Sequence, residues 1–595
     1  MIALVQMAVL TAAMAAAGDA VVSAELKVWH PVSVTFVGPQ TGETAQPNPF
    51  RRYRLDVTFS HGEKQYTVPG YFAADGNAAE SGAAEGNCWR ARFTPDAEGR
   101  WTFRASFRGG EDVAASADPN AGKPLPPDGA SGEFTVAASD KSGRDHRGKG
   151  ILRHAGGHYL QFAGSGEFFL KGGADSPENF LAYAEFDGTE APPGRDKKRR
   201  QGEAAVAPLH LYRPHVGDWR PGDPTWRGAR GKGIVGALNY LAAQEMNSVY
   251  FLTMNVGGDG KDVWPWIDDE IRDRFDTSKL DQWEIVFSHM DRLGIMLHVI
   301  TQEQENDQLL DDGELGTTRK LYYRELVARF GHHLVVVWNL GEENTNTPEQ
   351  QKQFAQYIDE LDAYGHPVVV HTFPGKYEAV YGPLLGYRHF HGPSLQMGDA
   401  EKTHEETVRW VRRSAEAGHK WFVSLDEIGP ANTGVKPDAD DPGHDDVRKH
   451  ALWGNLMGGG AGCEWYFGYN YAHNDLNCED WRSRQRMWDQ TRWALEFFRC
   501  NLPFEQMRPA DELLSTPGAY CLAAEGEIYA VYLPDGGTTD LKLADGRYRV
   551  RWYNPRAGGE LADGTVLAVT APGPRSLGQA PSDRDQDWAV LVVRE

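Results

Sequence analysis

The pattern of hydrophobic and polar positions changes rhythm twice along the chain. From Leu26 to about Val136, runs such as Tyr53-Arg54-Leu55-Asp56-Val57-Thr58-Phe59 and Trp101-Thr102-Phe103-Arg104-Ala105-Ser106-Phe107 alternate in type, with Gly, Pro, Asn and Asp between them. Period-two alternation with regular turns predicts an antiparallel β-sandwich. In the middle of the chain the runs are apolar throughout, as in Leu334-Val335-Val336-Val337 and Trp421-Phe422-Val423. Such strands are buried on both faces and belong to parallel sheets wrapped in helices. Eight strands are expected: Phe168 to Asp175, Ser248 to Asn255, Ile295 to Ile300, Leu334 to Asn339, Pro367 to His371, Tyr387 to His391, Trp421 to Glu427 and Gly462 to Gly468. Stretches with helical spacing, such as Ile234, Leu238 and Leu241, lie between them. Strand and helix in alternation predict a (β/α)8 barrel. From Leu502 short alternating strands return, including Ile528 to Leu533, Tyr548 to Tyr553 and Trp588 to Val593, and predict a second β-sandwich.

The 595 residues divide accordingly: 1–24 as a signal peptide, 25–138 as the first sandwich, 139–150 as a linker, 151–501 as the barrel and 502–595 as the second sandwich. The first segment is apolar and alanine-rich with small residues at Val22-Ser23-Ala24, although no Lys or Arg precedes the apolar run. A secreted or periplasmic protein follows, and no other stretch reaches the ~20 apolar residues of a membrane span. The net charge of −23 disfavours nucleic acid and anionic membrane surfaces as partners. The 18 Trp and 23 Tyr supply flat faces suited to sugar rings, with most expected in the core. Five cysteines allow at most two disulfides; Cys463 and Cys478 flank the last barrel strand as a pair or as free thiols.

The chemistry gathers where barrel strands end. Val336-Val337-Trp338-Asn339-Leu340-Gly341 runs into Glu342 and Glu343, and strand seven ends in Asp426-Glu427. Carboxylates at the C-terminal rim of a barrel are what glycoside hydrolysis uses: one protonates the leaving oxygen, the other attacks or activates water. Glu342 either points into the mouth, raising the pKa of its neighbour, or away into a salt bridge; Asp426 alternates away from Glu427 and reads as structural. Further polar groups end other strands: Asp175 and Glu178, then Asp259, Asp262 and Trp264, then Gln302, Glu303 and Glu305. His371, His389 and His391 sit on adjacent predicted strands, where they hydrogen-bond sugar hydroxyls or the nucleophile or, less simply, hold zinc. The basic run Arg195 to Arg200 is either a solvated loop tip or a counter-charge for a sulfated or uronic glycan. Asp438, Asp440, Asp441, Asp445 and Asp446 lack a recognised calcium loop and read as a solvated acidic lid. No metal or cofactor is expected.

Trp338-Asn339-Leu340-Gly341-Glu342-Glu343 resembles the Trp-Ser-Leu-Gly-Asn-Glu segment of the large clan of retaining glycoside hydrolases built on (β/α)8 barrels. The resemblance implies Glu343 as acid/base and Glu427, in Glu427-Ile428-Gly429, as nucleophile; Glu342 departs from it by replacing Asn. It also implies Trp465 as a stacking platform; Tyr466, Asn339, Asp175, Trp264 and the three histidines are read as further sugar-binding residues from their places on or after the barrel strands. Cys88-Trp89-Arg90-Ala91-Arg92-Phe93-Thr94-Pro95-Asp96 with Gly99-Arg100-Trp101 resembles the N-terminal domain family DUF5060. The barrel looks apiosidase-like, and Trp552-Tyr553-Asn554-Pro555-Arg556 resembles a C-terminal module of the collagen-binding type. Together these imply a retaining enzyme that cleaves a complex plant or algal polysaccharide through a glycosyl-enzyme, without a cofactor. The alternative is a non-catalytic glycan-binding or matrix-adhesion protein on the same scaffold.

Overall fold

The computed structural model describes residues 20–191 and 209–595, together with the backbone of Ala15–Ala17. Most of the segment read as a signal peptide, and the basic run Arg195 to Arg200, lie outside the described residues. Ala20–Ser23 pairs with Val32–Gly42 in the first sandwich.

The alternating N-terminal text forms two antiparallel sheets packed face to face. Inward positions such as Val34, Phe36, Val57, Phe59, Trp101 and Phe103 are buried, as period two requires. This sandwich sits on the barrel helices through polar contacts: Arg92 pairs with Glu284 at 2.7 Å, and the Thr94 hydroxyl donates to the His332 carbonyl at 2.6 Å.

Eight parallel strands close the central barrel. They are β1 (Lys171–Ala174), β2 (Ser248–Leu252), β3 (Met296–Ile300), β4 (Val336–Asn339), β5 (Val368–Thr372), β6 (Gly392–Met397), β7 (Ser424–Ile428) and β8 (Gly462–Trp465). Helix boundaries follow local chemistry. Asp276 caps Thr277–Leu293 by accepting from the Lys279 amide, Gly294 ends it at φ +72, and Thr347 with Gln350 forms a capping box on Pro348–Leu361.

Seven strands fall where expected, and the sixth does not. Tyr387 to His391 is a turn, the Phe390 amide bonding the Tyr387 carbonyl, and the strand begins only at Gly392. Gly392-Pro393 reads as loop, yet proline is tolerated at the first positions of a strand. Ser394 and Gln396 alternate with Leu395 and Met397, so this strand lacks a continuous apolar run of the kind that marks strand five.

The barrel interior is polar at its centre. The Lys171 ammonium bonds Asp426 and, at 3.1 Å, Glu464; Glu464 accepts from Ser248 and lies 2.8 Å from His298 Nδ1. His298 Nε2 in turn meets the Asn339 amide at 3.1 Å. Burial alone would pull the lysine toward neutrality; Asp426 and Glu464 more than offset it and hold the ammonium charged.

The C-terminal module is a six-stranded antiparallel sheet, consistent with a β-sandwich. One face, with Val531, Val550, Trp552 and Val590, forms its own core. The other lays Tyr532, Tyr553 and Leu591 on the barrel, where Tyr532 stacks on Trp453 at 4.7 Å. All five cysteines are free, so Cys463 and Cys478 are buried thiols.

Candidate active site

Two local distortions bring the rim carboxylates together. After β4, Gly341 adopts φ +150 and Glu343 φ +47, a left-handed conformation that a residue with a side chain adopts at a cost of about 1–3 kcal/mol. A β-carbon at Gly341 would stand 2.7 Å from Asn344 Nδ2 and 2.8 Å from Gln302 Cγ, so only glycine fits. The turn lets consecutive Glu342 and Glu343 both face one cavity instead of alternating. A polar frame holds it: the Glu342 amide donates to the Gln302 carbonyl at 2.9 Å, Gln302 Nε2 to Asn346 at 2.7 Å, and Arg319 to Gln302 Oε1 at 2.6 Å.

In β7 the register against β6 slips, Leu395 pairing with Leu425 and Gln396 with Glu427. Asp426 is thereby the extra residue of a bulge, and bulges re-aim side chains. Asp426 turns inward to Lys171, and Glu427 still reaches the mouth. Asp426 therefore shares the interior with Glu427 instead of alternating away from it.

The cavity at this rim has a volume of about 470 Å³. Glu343 and Glu427 line it together with Glu342, Glu178, Glu303 and Asp475. Asp259 and Glu305 extend the acidic wall, and Phe373, Met397, Tyr466 and Tyr469 supply apolar surface. Glu427 is buried, its Oε2 3.2 Å from His371 Nε2, close enough for an ion pair but without hydrogen-bond alignment. His371 Nδ1 lies 3.1 Å from the Tyr250 hydroxyl, which donates to Glu342 Oε2 at 3.1 Å. A chain of contacts thus runs from Glu427 through His371 and Tyr250 to Glu342.

Burial and mutual repulsion set the charges. Burial, then the Glu427 charge, pushes the Glu343 carboxyl up to about 7, while the Gln396 amide, donating to its Oε1 at 3.0 Å, pulls the other way. Glu342 is raised well above the usual carboxylate range by burial and by Glu303, Glu427 and Glu343. Glu178, Glu303 and Asp175 are raised in the same way, burial first and neighbouring carboxylates after.

Of the residues expected to bind sugar, Tyr466 lines the cavity, its hydroxyl donating to the Ala431 carbonyl at 2.9 Å. His371, Asn339 and Asp175 are buried beneath it. Trp465 is not a platform. Glu464 takes the inward side of β8, so its neighbour faces outward, where the indole donates to Thr491 at 2.9 Å on helix Gln485–Asn501. Trp264 is buried away from the cavity with the Lys279 ammonium 5.6 Å from its ring. His389 and His391 precede β6 at the opposite end of the barrel. His389 contacts Asp359 at 2.6 Å, and His391 accepts from the Val368 amide at 3.0 Å. They do not converge with His371. The acidic lid is a clamp: Asp438 lies 2.8 Å from His444 Nε2, and Asp445 pairs with Arg448, which also holds Asp587 of the C-terminal sheet at 2.9 Å. Gln396, Tyr250 and Asp475 went unread in the sequence; Gln396 was hidden by the shifted strand six.

Residues 25–108 match the family model described as domain of unknown function DUF5060. No curated protein matches the sequence. Among solved structures, a "putative glycoside hydrolase" from Bacteroides vulgatus ATCC 8482 aligns over 96% of this chain and 99% of its own, at 16% identity and TM-score 0.62. A glycoside hydrolase family 5 protein from the same bacterium aligns over 76% of this chain and 95% of its own, at 15% identity and TM-score 0.53. A third structure, described as a glycoside hydrolase, aligns over 76% and 99%, at 12% identity and TM-score 0.53. At these identities the likeness is one of fold, and in the first structure it extends over nearly the whole chain.

Proposed function

We propose that this chain is a glycoside hydrolase that works with retention, Glu427 attacking the anomeric carbon and Glu343 serving as acid and then base, on a poly- or oligosaccharide outside the cytoplasm. The observation that carries the reading is the pair itself: two strand-end carboxyls on one cavity, one of them raised to about 7 by burial and by the charge of the other. A general acid works best with a pKa near the operating pH, and the nucleophile must stay ionised beside it. Glu343 protonates the leaving oxygen, loses its proton as the bond breaks, and then activates the water that releases the sugar from Glu427. The glycoside hydrolase neighbours support the same reading through the fold. No residue in the site carries the expectation of a plant or algal source. A binding scaffold is disfavoured because both carboxyls line an open cavity.

The test is a polysaccharide and aryl-glycoside screen with azide rescue. Glu427→Ala is expected to abolish cleavage of every substrate, with azide yielding the inverted glycosyl azide. Glu343→Ala is expected to keep glycosylation by nitrophenyl glycosides, with azide restoring turnover to the retained product. An inverted azide from Glu343→Ala, or no Glu427-dependent cleavage of any substrate, overturns the assignment.

A further inference from the structure

The turn that presents Glu343 is held from outside the cavity. Its left-handed backbone is unfavourable by itself and persists only where the surroundings over-determine it. Those surroundings grip the chain on both sides of Glu343. Before it, the Glu342 amide donates to the Gln302 carbonyl at 2.9 Å. After it, the Thr345 amide donates to Asp307 Oδ2 at 2.7 Å, while Asn346 accepts from Gln302 Nε2 at 2.7 Å and donates to the Asp307 carbonyl at 3.3 Å. Gln302 and Asp307 lie on one loop, the loop after β3, and a single side chain bonds them both.

That side chain is Arg319, on helix Thr317–Phe330. It is fully buried, and each of its five N–H donors has an acceptor. Nη1 bonds Gln302 Oε1 at 2.6 Å and the Tyr323 hydroxyl at 3.3 Å; Nη2 bonds the carbonyls of Asp307 at 2.8 Å and Leu310 at 3.3 Å; Nε bonds the Glu314 carbonyl at 3.1 Å. None of these acceptors is a carboxylate. The guanidinium also lies 4.5 Å from the ring centroid of Phe354, on the helix that follows β4. Burying a cation among neutral acceptors is unfavourable, but the planar fork fixes four points of the loop at once, which no shorter or more flexible donor does. Neither Arg319 nor Gln302 lines the cavity, so neither touches a substrate held there.

We propose that Arg319 is a positioning residue for the acid/base: through Gln302 and Asp307 it keeps Glu343 in its left-handed turn and so keeps the carboxyl within reach of the leaving oxygen. This rests on the reading of Glu343 as acid/base. Glu427 does not depend on the fork, because β7 carries it, the bulge at Asp426 aims it and His371 contacts it. Loss of the fork therefore lets the acid drift while the nucleophile stays, and a displacement of about 1 Å costs about 100-fold in rate. The defect falls on one step, the departure of a leaving group that needs a proton.

The experiment compares kcat/KM for two glycosides of one sugar, with an alkyl and with a dinitrophenyl leaving group, in the unmutated chain, Arg319→Met, Arg319→Lys, Gln302→Met and Glu343→Ala. Arg319→Met is expected to lose about 100-fold on the alkyl glycoside and less than about threefold on the dinitrophenyl glycoside. Gln302→Met keeps the length of the side chain and removes both of its bonds; the same contrast is expected at about tenfold, and this variant carries the test where Arg319→Met fails to fold. Lysine keeps the charge without the fork, so Arg319→Lys should not restore the rate; restoration would show that charge alone is needed and would overturn the proposal. Equal losses on the two glycosides would place the damage in the fold or at Glu427 and overturn it, as would an unchanged rate in Gln302→Met. Glu343→Ala separates this inference from the reading it rests on. If that variant lacks the contrast between leaving groups, the acid/base assignment itself fails. If it shows the contrast and the Arg319 and Gln302 variants do not, only the positioning role fails.

Discussion

Replacing Gln396 by methionine should move the alkaline limb of the pH profile upward. The Gln396 amide donates to Glu343 Oε1 at 3.0 Å and thereby stabilises the ionised carboxylate. Hydrogen bonds to charged groups contribute about 1.5–3 kcal/mol, and one pKa unit corresponds to about 1.36 kcal/mol. Because water in an open cavity replaces part of the lost bond, about one unit is expected rather than two. The Glu343 carboxyl, near 7 in the unmutated chain, then titrates near ~8. The assay is kcat/KM against pH with a substrate whose poor leaving group needs a proton, since that ratio reports the free enzyme. The acid limb should stay in place while the alkaline limb moves. With a nitrophenyl leaving group the dependence on the acid should largely vanish in both proteins. A limb that stays still or moves down would refute the reasoning, either because Gln396 does not bond ionised Glu343 or because Glu343 is not the acid.

Other contacts provide independent tests. Tyr250→Phe breaks the link between His371 and Glu342 and should cost about 1–2 kcal/mol of stability, read from urea unfolding, with a lower kcat at unchanged fold. Lys171→Met leaves Asp426 and Glu464 buried without their cation and should cost about 3–5 kcal/mol by the same measurement. Burial raises Glu464, but Lys171 and His298 prevail and depress it to about 2, so its contribution is present above its ordinary 4.5 and is lost as pH falls through 2; the urea midpoint should drop across that window. At the base of the barrel, His333 is raised to about 9, burial being outweighed by Glu284 and Asp291, so its stabilisation is complete below 6.5 and lost as pH rises through 9. His333→Gln should therefore be costly at pH ~6 and nearly neutral at pH ~10.

The parts legible in the sequence are those fixed by local pattern. Apolar runs in or beside β1 to β5, β7 and β8 marked those strands, because both of their faces are covered, even though Lys171, Asp426 and Glu464 put charge into the interior. Strand β6 escaped because its start is Gly392-Pro393 and its inward residues are Ser394 and Gln396; His389 and His391 were carried with it to the wrong end. Trp465 was misread because its direction depends on Glu464, whose inward side is decided by Lys171, nearly three hundred residues earlier. Glu343 and Glu427 were legible as residues that end strands. That Glu342 also faces the cavity depends on the left-handed turn at Glu343 and on Gln302, which no spacing encodes. The rest of the acidic wall is a tertiary fact, since Glu178, Glu303 and Asp475 come from loops after different strands.

The two layers of buried charge in the barrel should respond to pH in opposite senses. In the lower layer Lys171 balances Asp426 and Glu464; in the upper layer burial and the neighbouring carboxylates raise Glu342 well above the usual carboxylate range. For an acid whose folded pKa is raised, stability is complete below the unfolded value of 4.5 and is lost progressively as pH rises toward the folded pKa. Each unit of pH in that interval costs about 1.4 kcal/mol per group. Glu342→Gln keeps an acceptor for the Tyr250 hydroxyl and removes the titration. It should therefore leave stability nearly unchanged at pH ~4 and raise it by about 1–3 kcal/mol at pH ~7, measured as the difference in urea midpoints between the two conditions. A gain in stability that accompanies a loss of turnover is the expected signature of a site held in an unfavourable state for its chemistry. An equal effect at both pH values would show that Glu342 does not titrate between them.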